Sequence, residues 1–167
     1  LVYDGKDMPA DALAMMSEEA LAYYTENRMP FHSDPGFLKL QLALFYDFWT
    51  KGGFLTLGTD AVNIVGVPGY ANQRAIELMV EAGIPELEVI KIATHNGAQE
   101  LGVLDELGTI AVGKRADLVI LNGDPSVDIS AVYAVDTVFK NGVGYDPKTI
   151  KDSVKGKLAG PLFGSHH

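Results

Sequence analysis

The chain has 167 residues, 47% of them hydrophobic, with 13 basic and 22 acidic side chains, a net charge of −9 and no cysteine. That excludes a disordered chain, a disulfide framework and thiolate metal ligands, and the few, scattered basic residues exclude a nucleic-acid surface. No apolar run reaches the length of a bilayer span and no basic-then-apolar leader opens the chain, so a membrane is not an expected partner. The acidity chiefly favours solubility. The length suits one core with a small appendage. Leu1 is not an initiator methionine, so the expectation is a native start upstream, with the compartment open between cytoplasm and periplasm.

Leu1-Val2-Tyr3 reads as the end of a strand cut by Asp4-Gly5. A helix is expected over Ala10 to Glu26, with Leu13, Met16, Leu21 and Tyr24 near one face. The methionines there read as core filler. A loop follows over Asn27 to Ser33. Asp34 then has the position of an N-cap and Pro35 that of the first helical residue of a second helix, which runs to Thr50. It is apolar nearly all round (Phe37, Leu38, Leu40, Leu42, Leu44, Phe45, Phe48, Trp49) and should be buried or face a partner. Gly52-Gly53 ends it.

Phe54-Leu55-Thr56-Leu57-Gly58-Thr59-Asp60 is an apolar run that closes on a carboxylate. Its composition, after the Lys51-Gly52-Gly53 turn, predicts a buried strand. An acid at the C-terminal tip of such a strand stands where α/β proteins place their chemistry. Alternatively, an Asp after Gly-Thr caps the next turn. The loop from Val62 to Tyr70 holds two glycines and Pro68, and loops at this end of a strand carry substrate contacts. A helix over Asn72 to Ala82 is stopped by Gly83. Pro85 opens the next, which sets Leu87, Ile90 and Thr94 on one side.

From Gly108 glycines punctuate short β-branched runs, Thr109 to Val112, Asp117 to Leu121 and Thr137 to Phe139, and Asn141-Gly142 signals a hairpin turn. Lys148 to Gly160 is a polar helix or tail. Gly164-Ser165-His166-His167 has the form of the start of an affinity tag, so His166 and His167 are set aside.

Three stretches carry a resemblance. They are Gly58-Thr59-Asp60-Ala61; Ile76 to Pro85 followed by Ala93-Thr94-His95-Asn96-Gly97-Ala98 and Leu101-Gly102; and Leu107 to Leu121 with Gly123-Asp124-Pro125 behind it. In this order and spacing, over Phe54 to Tyr145, the chain resembles the C-terminal part of the metal-dependent amidohydrolase superfamily, in particular its imidazolonepropionase-like and Xaa-Pro-dipeptidase-like branches. The family usually has a Ser or Thr cap before the proline that stands here at Pro85; this chain has Ile84.

The resemblance implies an α/β fold, a (β/α)8 barrel with a small β-sandwich built from both chain ends. Such a barrel takes about 250 residues. The expected division is therefore a partial barrel with its last strand and helices over 1–107, the C-terminal share of the sandwich over 108–146, and a terminal helix or tail over 147–167. Asp60 would stand at the tip of the eighth strand. There it would ligate a mono- or binuclear divalent-metal centre, with zinc the expected metal, accept the proton of the attacking water and pass it to the leaving nitrogen. The substrate would be a small amide, a dipeptide or a cyclic imide.

The family's other ligands, a His-x-His on the first strand, a mid-barrel modified Lys or acid and two later histidines, have no counterpart in this chain. Only His32 and His95 remain beside the terminal pair. His95 reads as a helix-surface histidine. Nothing in the spacing of His32, in a loop after Pro30-Phe31, marks it as a ligand. A catalytic zinc takes three protein ligands and a water, and Asp60 is the one acid in place. The expectation is thus a C-terminal fragment of a C–N hydrolase, inactive alone, with metal weak or absent until the missing N-terminal part of the barrel supplies the rest. Uncovered edges and apolar faces favour a homo-oligomer. The alternatives are a non-catalytic β-rich module and one chain of a complementing pair. Arg115 and Asp117 mark the family without performing its chemistry, and the substrate-binding residues stay open.

Overall fold

The computed structural model of the chain describes residues 9–26, 35–59 and 68–158. The expected N-terminal strand end, the 27–33 loop, the Asp34 cap, Asp60, His32, most of the 62–70 loop and the chain end beyond Leu158 lie outside them.

The first expected helix is two. α1 (Ala10–Leu13) and α2 (Glu18–Glu26) are separated at residues 14–17. The break has a backbone cause. Met16 bridges in parallel to Leu158, Ser17 N–H donates to Leu158 O at 2.8 Å, and Leu158 N–H donates to Met15 O at 2.9 Å. Helix continuation would withdraw those groups, so the ladder bond wins over propensity. Ser17 then caps α2 by accepting from Ala20 N–H. Ala12 and Met15 bury themselves against Leu13, Met16, Tyr70, Val154 and Leu158, which brings the two ends of the described chain together.

α3 (Pro35–Thr50) matches its expected span. α4 (Tyr70–Glu81) is terminated by a left-handed cap. Gly83, at a φ of 104°, donates to Val80 O and Ile84 N–H donates to Met79 O, and a side chain other than glycine would be strained at that φ. Ile84 is the residue where a Ser or Thr cap was expected. It is buried at 1% exposure and packs with Val89 and Ile92. Ile84 and Val89 stand at the positions of a hydrophobic staple around the start of α5 (Glu86–Lys91), so an apolar clasp replaces the side-chain cap. Trp49, Leu55, Ile76, Met79 and Val80 complete this core. The expected Leu87, Ile90, Thr94 side of the helix is its outer one, with Leu87 and Thr94 exposed.

α5 continues as a π-helical turn (Ile92–Asn96) into α6 (Gly97–Glu100). Gly108 follows at positive φ, and a Cβ there would sit 2.4 Å from the Ala98 Cβ. That explains why the Leu-Gly-Thr motif holds a glycine at this close approach.

Two expected strands are absent. Residues 54–59 join no ladder, because among the described residues no strand lies beside them to pair with. The Thr109 to Val112 run is also irregular. It is curled between Gly108 and Gly113, both at positive φ, and Ile110 is 90% exposed, so no packing favours a pleat. The other two β-branched runs form strands, β1 (Leu118–Leu121) and β2 (Val135–Lys140), and β3 (Val143–Tyr145) adds a third in an antiparallel β1-β2-β3 sheet. Val119 pairs with Val138, and the register shifts between Ile120 and Leu121. Asn141 and Gly142, at φ of 53° and 80°, make the expected hairpin turn. A 3₁₀ helix (Ile129–Tyr133) links β1 to β2. α7 (Pro147–Val154) follows, capped by Asp146, which accepts from Lys148 and Thr149 N–H. No helix among the described residues is long and apolar enough to cross a membrane.

A polar junction joins helices to sheet. Arg74 is 6% exposed and donates to Glu77 and Glu81, each at 2.8 Å. The Tyr133 hydroxyl donates to the same Glu77 oxygen at 2.8 Å, and Gln73 Nε2 donates to Val132 O. Burial, reinforced by the Glu77 carboxylate, pushes the Tyr133 phenol well above its ordinary range. Two bonds thus tie α4 to the 3₁₀ helix, and the one from Tyr133 to the Glu77 carboxylate is charge-assisted.

Asp117 ties the hairpin turn to β1. It accepts from the Lys140 ammonium and from Asn141 N–H at 2.7 Å. Those bonds, Lys140 first, hold its carboxyl below the usual carboxylate range. A depressed folded-state pKa gives stability that is full above the unfolded value, about 3.9, and is lost as pH falls through the folded one. Asp117→Asn should therefore lower the melting temperature at pH 7 and flatten its fall as the pH drops below about 4. Parallel acid-limb slopes for both proteins by thermal scanning would show that Asp117 carries no such linkage.

Candidate active site

The segment that leads to Asp60 is held at both ends by asparagine side chains from neighbouring helices. At its start, Asn96 Nδ2 donates to Leu55 O at 2.9 Å. At its end, the Thr59 hydroxyl, in a residue 7% exposed, donates to Asn72 Oδ1 at 2.7 Å. Leu55 itself packs into the Ile84–Val89–Ile92 core. A backbone with no ladder partner still needs its polar groups satisfied. The Asn96 amide supplies one of the backbone bonds a neighbouring strand would, and the Asn72 amide holds the Thr59 side chain, which delivers residue 59 at a defined place. Asp60, next in the chain, lies outside the described residues.

Asn96 reaches Leu55 because of where the π turn ends. The extra residue per turn in Ile92–Asn96 rotates the following side chains relative to an uninterrupted α-helix. The Thr94 hydroxyl donates back to Ile90 O at 2.7 Å, a pattern that bends helices. His95 lies on this turn, half-buried, with Nδ1 at 3.2 Å from Asn96 Oδ1. A carbonyl can only accept, so Asn96 must turn its NH2 to Leu55 and its oxygen to His95. In the neutral ring Nδ1 is then the donor, and Nε2 is left as an acceptor. His95 was expected on a helix surface; it lies on the helix but is half-buried, with one ring nitrogen engaged in holding Asn96.

Two cavities flank these elements. The smaller, about 280 Å³, lies between α3, residues 56–58 and α4 and is lined by Leu38, Phe45, Leu57, Leu78 and Met79 among others. The larger, about 930 Å³, opens between α1, α4, β2, β3 and α7 around Met15, Tyr70, Tyr133 and Tyr145. It does not touch Thr59, and its Glu77 carboxylate is already engaged by Arg74 and Tyr133. Among the described residues no group of three His, Asp or Glu side chains could hold a metal ion.

Of the histidines singled out in the sequence, His95 is linked through Asn96 to the segment that precedes Asp60. Arg115 and Asp117 are structural, as expected, with Arg115 near Glu106 and Asp117. Reading the sequence missed Asn72 and Asn96. Asn96 had a signal: asparagine is a poor helix-interior residue, because its amide competes for backbone groups, so one inside a helical motif points to a bond elsewhere. The Arg74, Glu77 and Tyr133 junction had none, since its partners are far apart in the chain.

A model of the amidohydrolase family matches residues 11–149. The chain is 41% identical over 111 residues to the 5-methylthioadenosine/S-adenosylhomocysteine deaminase of Thermoanaerobacter pseudethanolicus, covering 55% of this chain and 26% of that protein. It is 33% identical over 90 residues to the adenine deaminase of Mesorhizobium japonicum, covering 49% and 15%. Among solved structures it is similar to a Xaa-Pro dipeptidase with methionine bound in its active site, at 38% identity and a TM-score of 0.59, over 63% of this chain and 25% of that one. It is also similar to molinate hydrolase, at 25% identity and a TM-score of 0.57, over 78% and 31%. The chain thus spans about a quarter or less of the curated relatives it matches. These likenesses support an α/β amidohydrolase fold, of which this chain carries helices and a small antiparallel sheet. With the family model matching most of its length, the chain belongs to the amidohydrolase family.

Proposed function

We propose that this chain is the C-terminal part of a hydrolase that cleaves a C–N bond with an activated water, and that Asp60 is the residue that handles the proton. The observation that carries the reading is the clamped segment. Within a chain of this family, two asparagine bonds and a buried threonine set residue 59, and the next residue is a carboxylate. Asp60 would take a proton from the attacking water and return it to the leaving nitrogen, which needs a group ionised at neutral pH and within reach of both. By their names, the deaminases and the dipeptidase among the relatives also act at C–N bonds. In this reading residues 1–107 are the end of a (β/α)8 barrel, 108–146 the C-terminal share of a β-sandwich and 147–167 a terminal helix and tail. The missing strands beside residues 54–59 would come from the rest of the barrel.

The divalent metal expected for such a hydrolase, zinc by the resemblance, needs ligands besides Asp60. The described residues do not fit it, since no three of their acidic or imidazole side chains converge. Proton transfer at Asp60 is the part of the reaction that this chain can carry.

Two measurements test the reading. The chain alone, equilibrated with zinc and dialysed, should retain well under one metal per molecule by elemental analysis. Stoichiometric zinc that disappears in Asp60→Ala would mean that the chain builds a metal centre by itself. In the complete protein, ammonia or proline release from adenine, 5′-methylthioadenosine and Xaa-Pro dipeptides would identify the substrate class. On the substrate turned over, Asp60→Asn should reduce kcat by at least ~10²-fold, the lower range for loss of a general base, with the fold unchanged by circular dichroism. Turnover close to the parent's would assign the proton to another residue.

A further inference from the structure

Three asparagines in the chain are followed by glycine: Asn96, Asn122 and Asn141. Each pair carries a latent reaction. The glycine nitrogen, once it gives up its proton, attacks the asparagine Cγ. A C–N bond forms and the side-chain nitrogen leaves as ammonia. Water then opens the succinimide ring at either carbonyl, to aspartate or to isoaspartate, in which the chain runs through the side-chain carbonyl. The balance is asparagine and water to aspartate or isoaspartate and ammonia, with no oxidant or reductant. Glycine permits the attack because it has no Cβ to crowd the nitrogen. The reaction needs an amide side chain free to turn and a glycine N–H open to solvent base. The fold therefore decides which of three chemically alike pairs reacts.

Two of the pairs are held. Asn96 has helical backbone, at a φ of −66° and a ψ of −37°, within the continuous helix from Glu86 to Glu100. A helical ψ leaves the next nitrogen out of line with Cγ, so ring closure there requires the turn to unwind. Its amide is also half-buried and engaged by both Leu55 O and His95. Asn141 is exposed, but its turn is pinned. Its N–H donates to Asp117 at 2.7 Å, and the Gly142 N–H, the attacking group, donates to Ala116 O at 2.9 Å.

Asn122 is different. It stands just past β1, in an exposed bend with Gly123. The Gly123 N–H has no hydrogen-bond partner among the described residues. Asp124, the nearest acid in the chain, accepts from the Ser126 N–H and hydroxyl instead. The Asn122 amide makes one bond, to Asp136 Oδ1 at 3.4 Å, long for an N–H···O contact and easily given up. Its backbone N–H donates to Ala134 O at 2.7 Å, which anchors the residue on the side away from Gly123.

We infer that Asn122 is the deamidation site of the folded chain, and that the fold protects Asn96 and Asn141. This goes beyond the functional reading and does not rest on it. The product adds a negative charge to a chain that carries −9, next to the Asp136 carboxylate. Isoaspartate also inserts a methylene into the backbone where β1 ends.

The test is to incubate the folded 167-residue chain for weeks at mildly alkaline pH in heavy-oxygen water. It is then digested at mildly acidic pH, which halts ring closure, and its peptides are mapped by mass spectrometry. Asn122 should convert to aspartate and isoaspartate carrying one heavy oxygen. Its rate should exceed those of Asn96 and Asn141 by at least ~10-fold, the order imposed by one hydrogen bond that must break first. The chain unfolded in urea is the control: all three pairs lose their protection there, and their rates should converge. Asn122→Gln, whose longer side chain closes a larger ring, should remove the main acidic species seen by anion exchange. The inference is overturned if Asn96 or Asn141 reacts as fast as Asn122 in the folded chain. It is equally overturned if Asn122 stays intact while the unfolded chain converts, or if the preference for Asn122 is as strong in urea as in the fold.

Discussion

Burial of Ile84 is the constraint on which the described structure most depends. The residue lies past the end of α4, where its N–H closes the left-handed cap, and just before α5, where its side chain meets Val89 across the first turn. Full burial of such a side chain is worth about 1.5–3 kcal/mol, and here the same contact sets the angle between two helices. Trp49 of α3 and Leu55 of the segment before Asp60 pack on the same group. Loosening Ile84 would therefore release three helices and the candidate catalytic segment together.

From that core the geometry of the candidate site follows. α4 carries Asn72 and the π turn after α5 carries Asn96, so the bonds that hold residues 55 and 59 are as well defined as the packing of those two helices. The small sheet is attached more locally, through Arg74, Glu77 and Tyr133 on one side and the meeting of residues 14–17 with 156–158 on the other. At the first junction the buried Arg74 is held by Glu77 and Glu81, which keep 22% and 42% of their side chains exposed. Removing Glu77 takes a partner from a buried guanidinium, which costs more than losing an exposed pair.

The exposed apolar surface has a pattern. α3, Ile110 and Val112 all present large side chains to solvent, and residues 54–59 join no ladder among the described residues. The chain spans about a quarter or less of its curated relatives.

Local chemistry was legible from the sequence. The Asn141-Gly142 turn, the strands β1 and β2, the Pro35 start and glycine end of α3, the stop at Gly83 and the family motifs all rest on the conformational limits of a few adjacent residues, whereas β3 was not foreseen. What needed the tertiary structure was whatever depends on a distant partner. The 10–26 helix breaks because residues 156–158 claim its backbone groups, and Thr109 to Val112 stays irregular because nothing packs on it. The apolar segment 54–59 was expected as a buried strand, but only Thr59 is buried and Phe54 is exposed, and nothing local foretold that the Asn96 amide would bond Leu55 where a ladder partner was expected. Ile84 looked like a missing cap and is the centre of the core, since a staple depends on what lies opposite it. Asp60 itself is a reading of sequence and family resemblance. Tertiary structure decided how residue 59 is held, because two bonds from helices 13 and 41 residues away along the chain leave no trace in local pattern.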